Sequence, residues 1–312
     1  MRILKLTAFF GGLAANAFGW GCEGHQIVAL IAQSHLTPAA RAEVDQLLKA
    51  NPIDPSLRRF CQPVATDPMA DAATWADDSK RDEKTGGWHY IDIPRGVEHA
   101  DLDKYCPAIG ESKDGKDRPG CVLNGLQYEL DILKDKSRTP AERATALRYV
   151  IHFVGDMHQP LHTTTNDDQG GNCTSLTLFG DSRRANLHAA WDYGIIGHEL
   201  KQDNETPAQL AAKLDTQYRS DGKHWLQEKT DLPKWLWEGH RVADEDTYGK
   251  LNPSLPVAPA ENGPGCQAER EKSSALHIDI DEKYASAALP VIHEQLAKAG
   301  YRLADVLNRT LK

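Results

Sequence analysis

Histidines and aspartates carry most of the chemical information in this 312-residue chain. His152 and Asp156 stand four apart in a segment of helical periodicity, so both project from one helix face about a turn apart. His188 and Asp192 repeat that spacing near the start of another predicted helix. His162 lies six residues past Asp156, just beyond Pro160, which is expected to end or kink the first helix and turn His162 back toward the same place. A single His-x-x-x-Asp pair reads equally as a surface pair or a satisfied core histidine. Two pairs with His162 read as a ligand set. Imidazole and carboxylate are what zinc uses in hydrolytic sites that keep an open coordination position.

Further candidates are Asp77, in Trp75-Ala76-Asp77, and His89, in Trp88-His89-Tyr90-Ile91-Asp92. Alone, they are an exposed helix residue and a strand-edge histidine. His25 begins an amphipathic helix, but it also follows Trp20 by only five residues. Residues 1–19 have the pattern of an export signal: Arg2 and Lys5, then an uncharged stretch of apolar and small residues, then small Ala17 and Gly19 before Trp20. Cleavage there would leave residues 20–312 as one domain and free the amine of Trp20. An α-amine has a pKa near ~8, so a metal would readily deprotonate and ligate it. Six cysteines form an even set suited to disulfides in an exported chain, with 15 complete pairings open.

The elements that must position these residues are mostly helices. Apolar periodicity predicts helices over residues 25–36, 141–158, 186–200, 208–218 and 281–311, the last interrupted near Pro290 and Gly300. Thr37-Pro38, Thr139-Pro140 and Thr206-Pro207 each pair an N-cap with a proline at the first helical position. Strand-like runs cover residues 88–93 and 175–179, and residues 251–267 read as a Pro/Gly-rich loop. The expectation is one compact, mainly α domain with a small β-hairpin. Forty per cent hydrophobic residues exclude a mostly disordered chain. The net charge of −9, or −11 once Arg2 and Lys5 leave with the signal, argues against nucleic-acid binding through a broad basic surface. Bound metal ions would remove that objection by concentrating positive charge where a phosphate docks.

Taken together, five segments resemble the zinc-dependent, single-strand-preferring nucleases and 3′-nucleotidases of fungi, plants and bacteria, within the phospholipase C/nuclease superfamily. They are Trp20-Gly21-Cys22-Glu23-Gly24-His25, Trp75-Ala76-Asp77, His89-Tyr90-Ile91-Asp92, the run from His152-Phe153-Val154-Gly155-Asp156 to Pro160-Leu161-His162, and Asn186-Leu187-His188-Ala189-Ala190-Trp191-Asp192. The resemblance implies the multi-helix fold of that superfamily and three zinc ions. Asp77, His89, His152 and Asp156 would hold the first, and Asp156 would bridge to a second held by Trp20 and His25. His162, His188 and Asp192 would hold the third. The implied reaction is phosphodiester hydrolysis by a hydroxide bridging two zincs, leaving 5′-phosphorylated products.

Lys80 matches a basic position that steadies charge on the phosphate, although a lysine cannot make the bidentate contact of the arginine that other members carry. Tyr90 would stack on a base and Asp92 would hydrogen-bond its edge. Stacking needs an unpaired base and tolerates any. Asn172, in Gly170-Gly171-Asn172, would add an amide contact or serve as an ordinary turn. His158 falls outside the ligand register. The substrates implied are single-stranded DNA and RNA and 3′-nucleotides, acted on by a secreted or periplasmic monomer with no membrane attachment and no stable protein partner. Two rivals are a zinc-dependent phospholipase C and a non-catalytic exported zinc-binding protein. Asp192 in place of a glutamate as last ligand, and the Tyr90/Asp92 pair, favour the nuclease over the first. Open coordination positions argue against the second.

Overall fold

A computed structural model describes residues 20–57, 59–64, 66–260, 263 and 265–312; the expected export signal lies outside these residues. The chain opens with α1 (Cys22–Ser34), α2 (Pro38–Ala50), the short α3 (Pro68–Ala72) and α4 (Trp75–Glu83). After an irregular stretch come α5 (Val122–Lys134) and α6 (Pro140–Asp156). The expected caps form. Thr139 Oγ1 accepts from the Glu142 amide (3.2 Å), and the Glu142 carboxylate accepts from the Thr139 amide (2.9 Å), closing a capping box. Thr37 and Thr206 cap their helices through the same side-chain contact.

Every residue of α6 from Ala146 to Asp156 is buried. A helix covered all round belongs to a core, and α6 is packed by α5, α2, α4, α1 and the C-terminal helix of the chain. His152 and Asp156 are thereby carried into a water-poor interior. The helix stops at Asp156, and Pro160–His162 forms a 3₁₀ turn, so the proline ends the helix as its missing N–H requires.

The strand β1 (Ser175–Leu178) lies between β2 (Ala185–Asn186) and β3 (Asp279–Ile280). A small antiparallel hairpin forms, with β1 inside the expected run 175–179 and its partner β2 outside any expected strand. Ser175 lies opposite Asn186, and β3 adds a parallel edge, with Thr177 opposite Asp279. α7 (Leu187–Ala189) runs through a π-helical turn, Ala190–Gly194, into α8 (Ile195–Asp203). Then follow α9 (Pro207–Gln217), α10 (Arg219–Trp225), α11 (Leu232–Val242) with a second π turn, α12 (Gly265–Leu276) and α13 (Glu282–Thr310). The result is a mainly helical domain in which α13 packs along α1 and α6.

Two expectations need correction. Residues 88–93 are not a strand: Gly86–His89 is a 3₁₀ turn, and the following chain is extended without a strand partner beyond an isolated bridge at Pro94 and Thr165. Its backbone is satisfied tertiarily instead, for example by Ile91 N donating to the His162 carbonyl (2.8 Å), while the Trp88 indole donates to the Pro119 carbonyl (3.2 Å). The last helix is also continuous through Pro290 and Gly300. Gly300 is a contact point: a β-carbon there would stand 2.6 Å from Ile31 Cβ, so glycine lets α13 close on α1. Of the 15 possible cysteine pairings, the fold selects Cys22–Cys61, Cys106–Cys121 and Cys173–Cys266. Among the described residues no helix is long and apolar enough to cross a membrane.

Candidate metal centre

Asp156, at the C-terminal end of α6, is the hub. Its two oxygens stand 3.4 Å from His25 Nε2, 3.1 Å from His89 Nδ1, 3.2 Å from His152 Nε2 and 3.5 Å from His162 Nδ1. Neither oxygen accepts a hydrogen bond from the described residues, and both are buried. His25 Nε2 and His89 Nε2 are likewise buried without a hydrogen-bond partner. Orphaned buried polar atoms are costly, and several converging on one point are the donor set a metal ion satisfies. The donor atoms fall into three buried groups: His25/His152/Asp156, Asp77/His89/His152 and His162/His188/Asp192. His152 links the first two groups, and Asp156 approaches His162 of the third.

The rings are aimed from behind. His152 Nδ1 pairs with the Ala73 carbonyl (2.7 Å), His162 Nδ1 with the His89 carbonyl (2.7 Å), and His188 Nδ1 with the Gly170 carbonyl (2.6 Å). With Nδ1 donating, each Nε2 is left as a bare acceptor pointing inward, the usual device for presenting imidazole to a metal. His89 Nδ1 and His152 Nε2 come within 3.1 Å, and His162 Nε2 and His188 Nε2 within 3.2 Å. The π turn carries Asp192 toward His188 Nε2 (3.2 Å).

Electrostatics point the same way. Burial pushes the Asp192 carboxyl well above its ordinary range, with Asp77 and Asp156 adding to the shift and the Gln159 hydrogen bond and Lys80 opposing it. Burial likewise lowers the His25 imidazole to about 4, with His152 adding to the effect. A carboxyl kept neutral by burial regains its charge when a cation arrives, whereas at His152 the charges of Asp156 and Asp77 overcome burial and raise the imidazole to about 9. The donor set therefore fits three metal sites.

The remaining sequence candidates surround this cluster. Trp20 is fully buried, with its ring close to the Gly155 and Gly24 positions, which places this residue beside His25. Lys80 Nζ lies 3.0 Å from Asp77 Oδ1. Lys80, Tyr90, Asp92, Asn172 and His188 share the wall of one cleft of about 340 Å³. Asp92 is exposed there, yet the crowding protein and nearby Asp168 push its carboxyl up to about 6. His158 lies elsewhere, with Nε2 against buried Arg302 (3.0 Å).

Sequence reasoning missed the supporting shell. Gln159 donates to Asp192 Oδ1 (2.5 Å) and accepts from the Leu161 amide (2.6 Å), tying one ligand to the turn that carries another. Asp168 accepts from the amides of Asn166 and Gly171 and the hydroxyls of Thr174 and Tyr248, shaping the loop that supplies Gly170 and Asn172. Gln159 stands between two candidate ligands, which is a signal of a kind. Asp168 and the carbonyls carry no sequence signal.

A family profile described as S1/P1 Nuclease matches residues 20–312. Among curated relatives, Nuclease S1 of Aspergillus oryzae is 29% identical, covering 98% of this chain and 97% of the relative. Endonuclease 2 of Arabidopsis thaliana is 28% identical, covering 98% and 96%. Nuclease P1 of Penicillium citrinum is 26% identical, covering 93% and 97%.

Proposed function

The chain belongs to the S1/P1 nuclease family, and from that premise we propose that it is an exported zinc-dependent endonuclease with 3′-nucleotidase activity. Its substrates are single-stranded DNA and RNA, and its products carry 5′-phosphates. The observation that carries the reading is Asp156, buried and orphaned among four imidazoles. Tetrahedral zinc with bonds of about 2.0–2.1 Å holds its donor atoms about 3.3 Å apart. The facing nitrogens of His89 and His152 lie 3.1 Å apart and 3.1–3.8 Å from carboxylate oxygens of Asp77 and Asp156.

Asp77, His89, His152 and Asp156 would hold one zinc. Asp156, His25 and the amine and carbonyl of Trp20 would hold a second, and His162, His188 and Asp192 a third. Bound zinc supplies a water of lowered pKa and positive charge for the phosphate. Lys80, fixed by Asp77, adds a cation at the cleft wall. Tyr90 provides a stacking face for an unpaired base, Asp92 an acceptor or donor for its edge, and Asn172 an amide beside them. Export is supported by the three disulfides and requires removal of residues 1–19, which frees the Trp20 amine.

The test is metal analysis of the mature chain together with release of acid-soluble nucleotides from single-stranded DNA and RNA. Three zincs per chain and such release are expected. Choline phosphate released from phosphatidylcholine, without nucleotide release, would overturn the reading.

A further inference from the structure

We propose that a second cleft at the metal centre, walled by Phe60 and Tyr193, takes a second nucleobase of the substrate strand, the one on the 5′-phosphate side of the bond cut. The inference rests on the nuclease reading above and deepens it. This cleft measures about 380 Å³, and Asp77 forms part of its wall together with Gly21 and the Cys22–Cys61 disulfide. It shares no lining residue with the Tyr90/Asp92 cleft, whose wall includes Lys80. The two meet at the Asp77–Lys80 ion pair, 3.0 Å long. A phosphodiester docked at the metal centre therefore has a cleft for the nucleoside on each of its ends.

The chemistry of the wall selects a flat, neutral, apolar-faced occupant. Phe60 and Tyr193 are 43% and 47% exposed, and they belong to a short set of large hydrophobic side chains exposed among the described residues. Two aromatic rings exposed at one cleft beside a metal centre call for a ligand. Base faces stack on aromatic rings without needing a matching charge, so Glu23 in the same wall is no obstacle.

Both rings are held in place before any ligand arrives. The backbone amide of Phe60 donates to Asp78 Oδ1 (2.7 Å), and the neighbouring Cys61 is bonded to Cys22 at the start of α1. Tyr193 follows Asp192 in the π turn, which sends consecutive side chains inward to the metal centre and outward to the cleft. Gly21 locks this turn: its amide donates to the Asp192 carbonyl (2.7 Å), and a β-carbon on it would lie 2.7 Å from Tyr193 Cβ. Such preorganisation spares the ordering cost of binding.

The experiment compares two substrates on the zinc-loaded, mature protein. Adenosine 3′-monophosphate has only the base that the Tyr90 cleft takes, whereas adenylyl-adenosine also has a base for the Phe60/Tyr193 cleft. Phe60→Ala and Tyr193→Ala should raise KM for adenylyl-adenosine by about fivefold or more, the loss of one stack. Neither should shift KM for the mononucleotide by as much as twofold (an order-of-magnitude bound on indirect effects). Phe60→Leu and Tyr193→Leu keep apolar bulk and secure folding, and should show the same split. Phe60→Trp should restore it. Equal effects on both substrates, or none on either, would overturn the proposal while leaving wild-type nuclease activity, and thus the underlying reading, intact. A variant that leaves adenylyl-adenosine untouched but impairs choline phosphate release from phosphatidylcholine vesicles would assign the cleft to an acyl chain and also overturn it. A wild-type protein inert toward both nucleotide substrates would instead refute the nuclease reading itself.

Discussion

Gly155 offers a sharp test of how the second metal position is built. It sits in α6 one residue before Asp156, and a β-carbon there would lie 2.8 Å from His25 Nδ1 and 3.0 Å from His25 Cε1. Ordinary van der Waals contact begins near 3.4 Å, so Gly155→Ala must push the His25 ring by roughly 0.6 Å, more than the ~0.5 Å within which a functional constellation has to be held. His25 has little room to retreat, because its ring stacks on His152 with centroids 3.8 Å apart. The helix itself gains: alanine is favoured over glycine in a helix interior by about 1 kcal/mol. The substitution thus sets local propensity against packing and site geometry. Overpacking a core costs about 1–3 kcal/mol, which the helix gain of about 1 kcal/mol offsets in part, so denaturant unfolding of the metal-free protein should show a loss of no more than about 2 kcal/mol. Zinc content should fall from three ions toward two, and turnover on single-stranded DNA should drop by about 10- to 100-fold, as misplacement on this scale implies. A variant with three tightly held zincs and wild-type turnover would falsify the placement of His25 as a ligand beside α6.

Other perturbations address the remaining links. Asp156→Asn should remove more than one zinc and abolish activity, because a single carboxylate serves neighbouring groups; retention of three ions with near-normal turnover would refute the bridging role. A mature chain carrying one extra residue before Trp20 should fold normally, with its disulfides intact, yet lose most turnover even in excess zinc. Full activity per folded molecule in that chain would rule out the terminal amine as a ligand. Glu129, 5% exposed in α5, is pushed up to about 7 by burial, with Glu83 adding to the shift and Arg118 opposing it. The folded state therefore holds a proton that the unfolded chain, near 4.5, releases, so stability is full below 4.5 and falls as pH rises to about 7. The loss is on the order of 3 kcal/mol, and Glu129→Gln should recover it at pH 8 with little effect at pH 4.5. Equal unfolding midpoints for wild type and variant at pH 8 would contradict this.

What could be read from the sequence was local. The caps at Thr37, Thr139 and Thr206 depend on contacts within three residues, and all three form. The shared helix face of His152 and Asp156 follows from helix geometry alone, and the end of that helix before Pro160 follows from a missing N–H. The mainly helical architecture and strand β1 were legible for the same reason, whereas β2 and β3, two residues each, are too short to leave a pattern. Tertiary structure decided what required distant partners. Residues 88–93 have strand-like composition, but their backbone groups are claimed by His162 and other loops, so they form a 3₁₀ turn and an extended arm. Gly300 looks like a helix breaker in sequence and is a point of closest approach to Ile31 in space. The disulfide pairing could not be chosen among 15 possibilities because it depends on which loops meet. The carbonyls of Ala73, His89 and Gly170 that aim the imidazoles belong to residues whose side chains are irrelevant to the task. Backbone atoms are common to all residues, so no residue type records which of them is in use; only the folded chain brings a particular carbonyl to a particular ring.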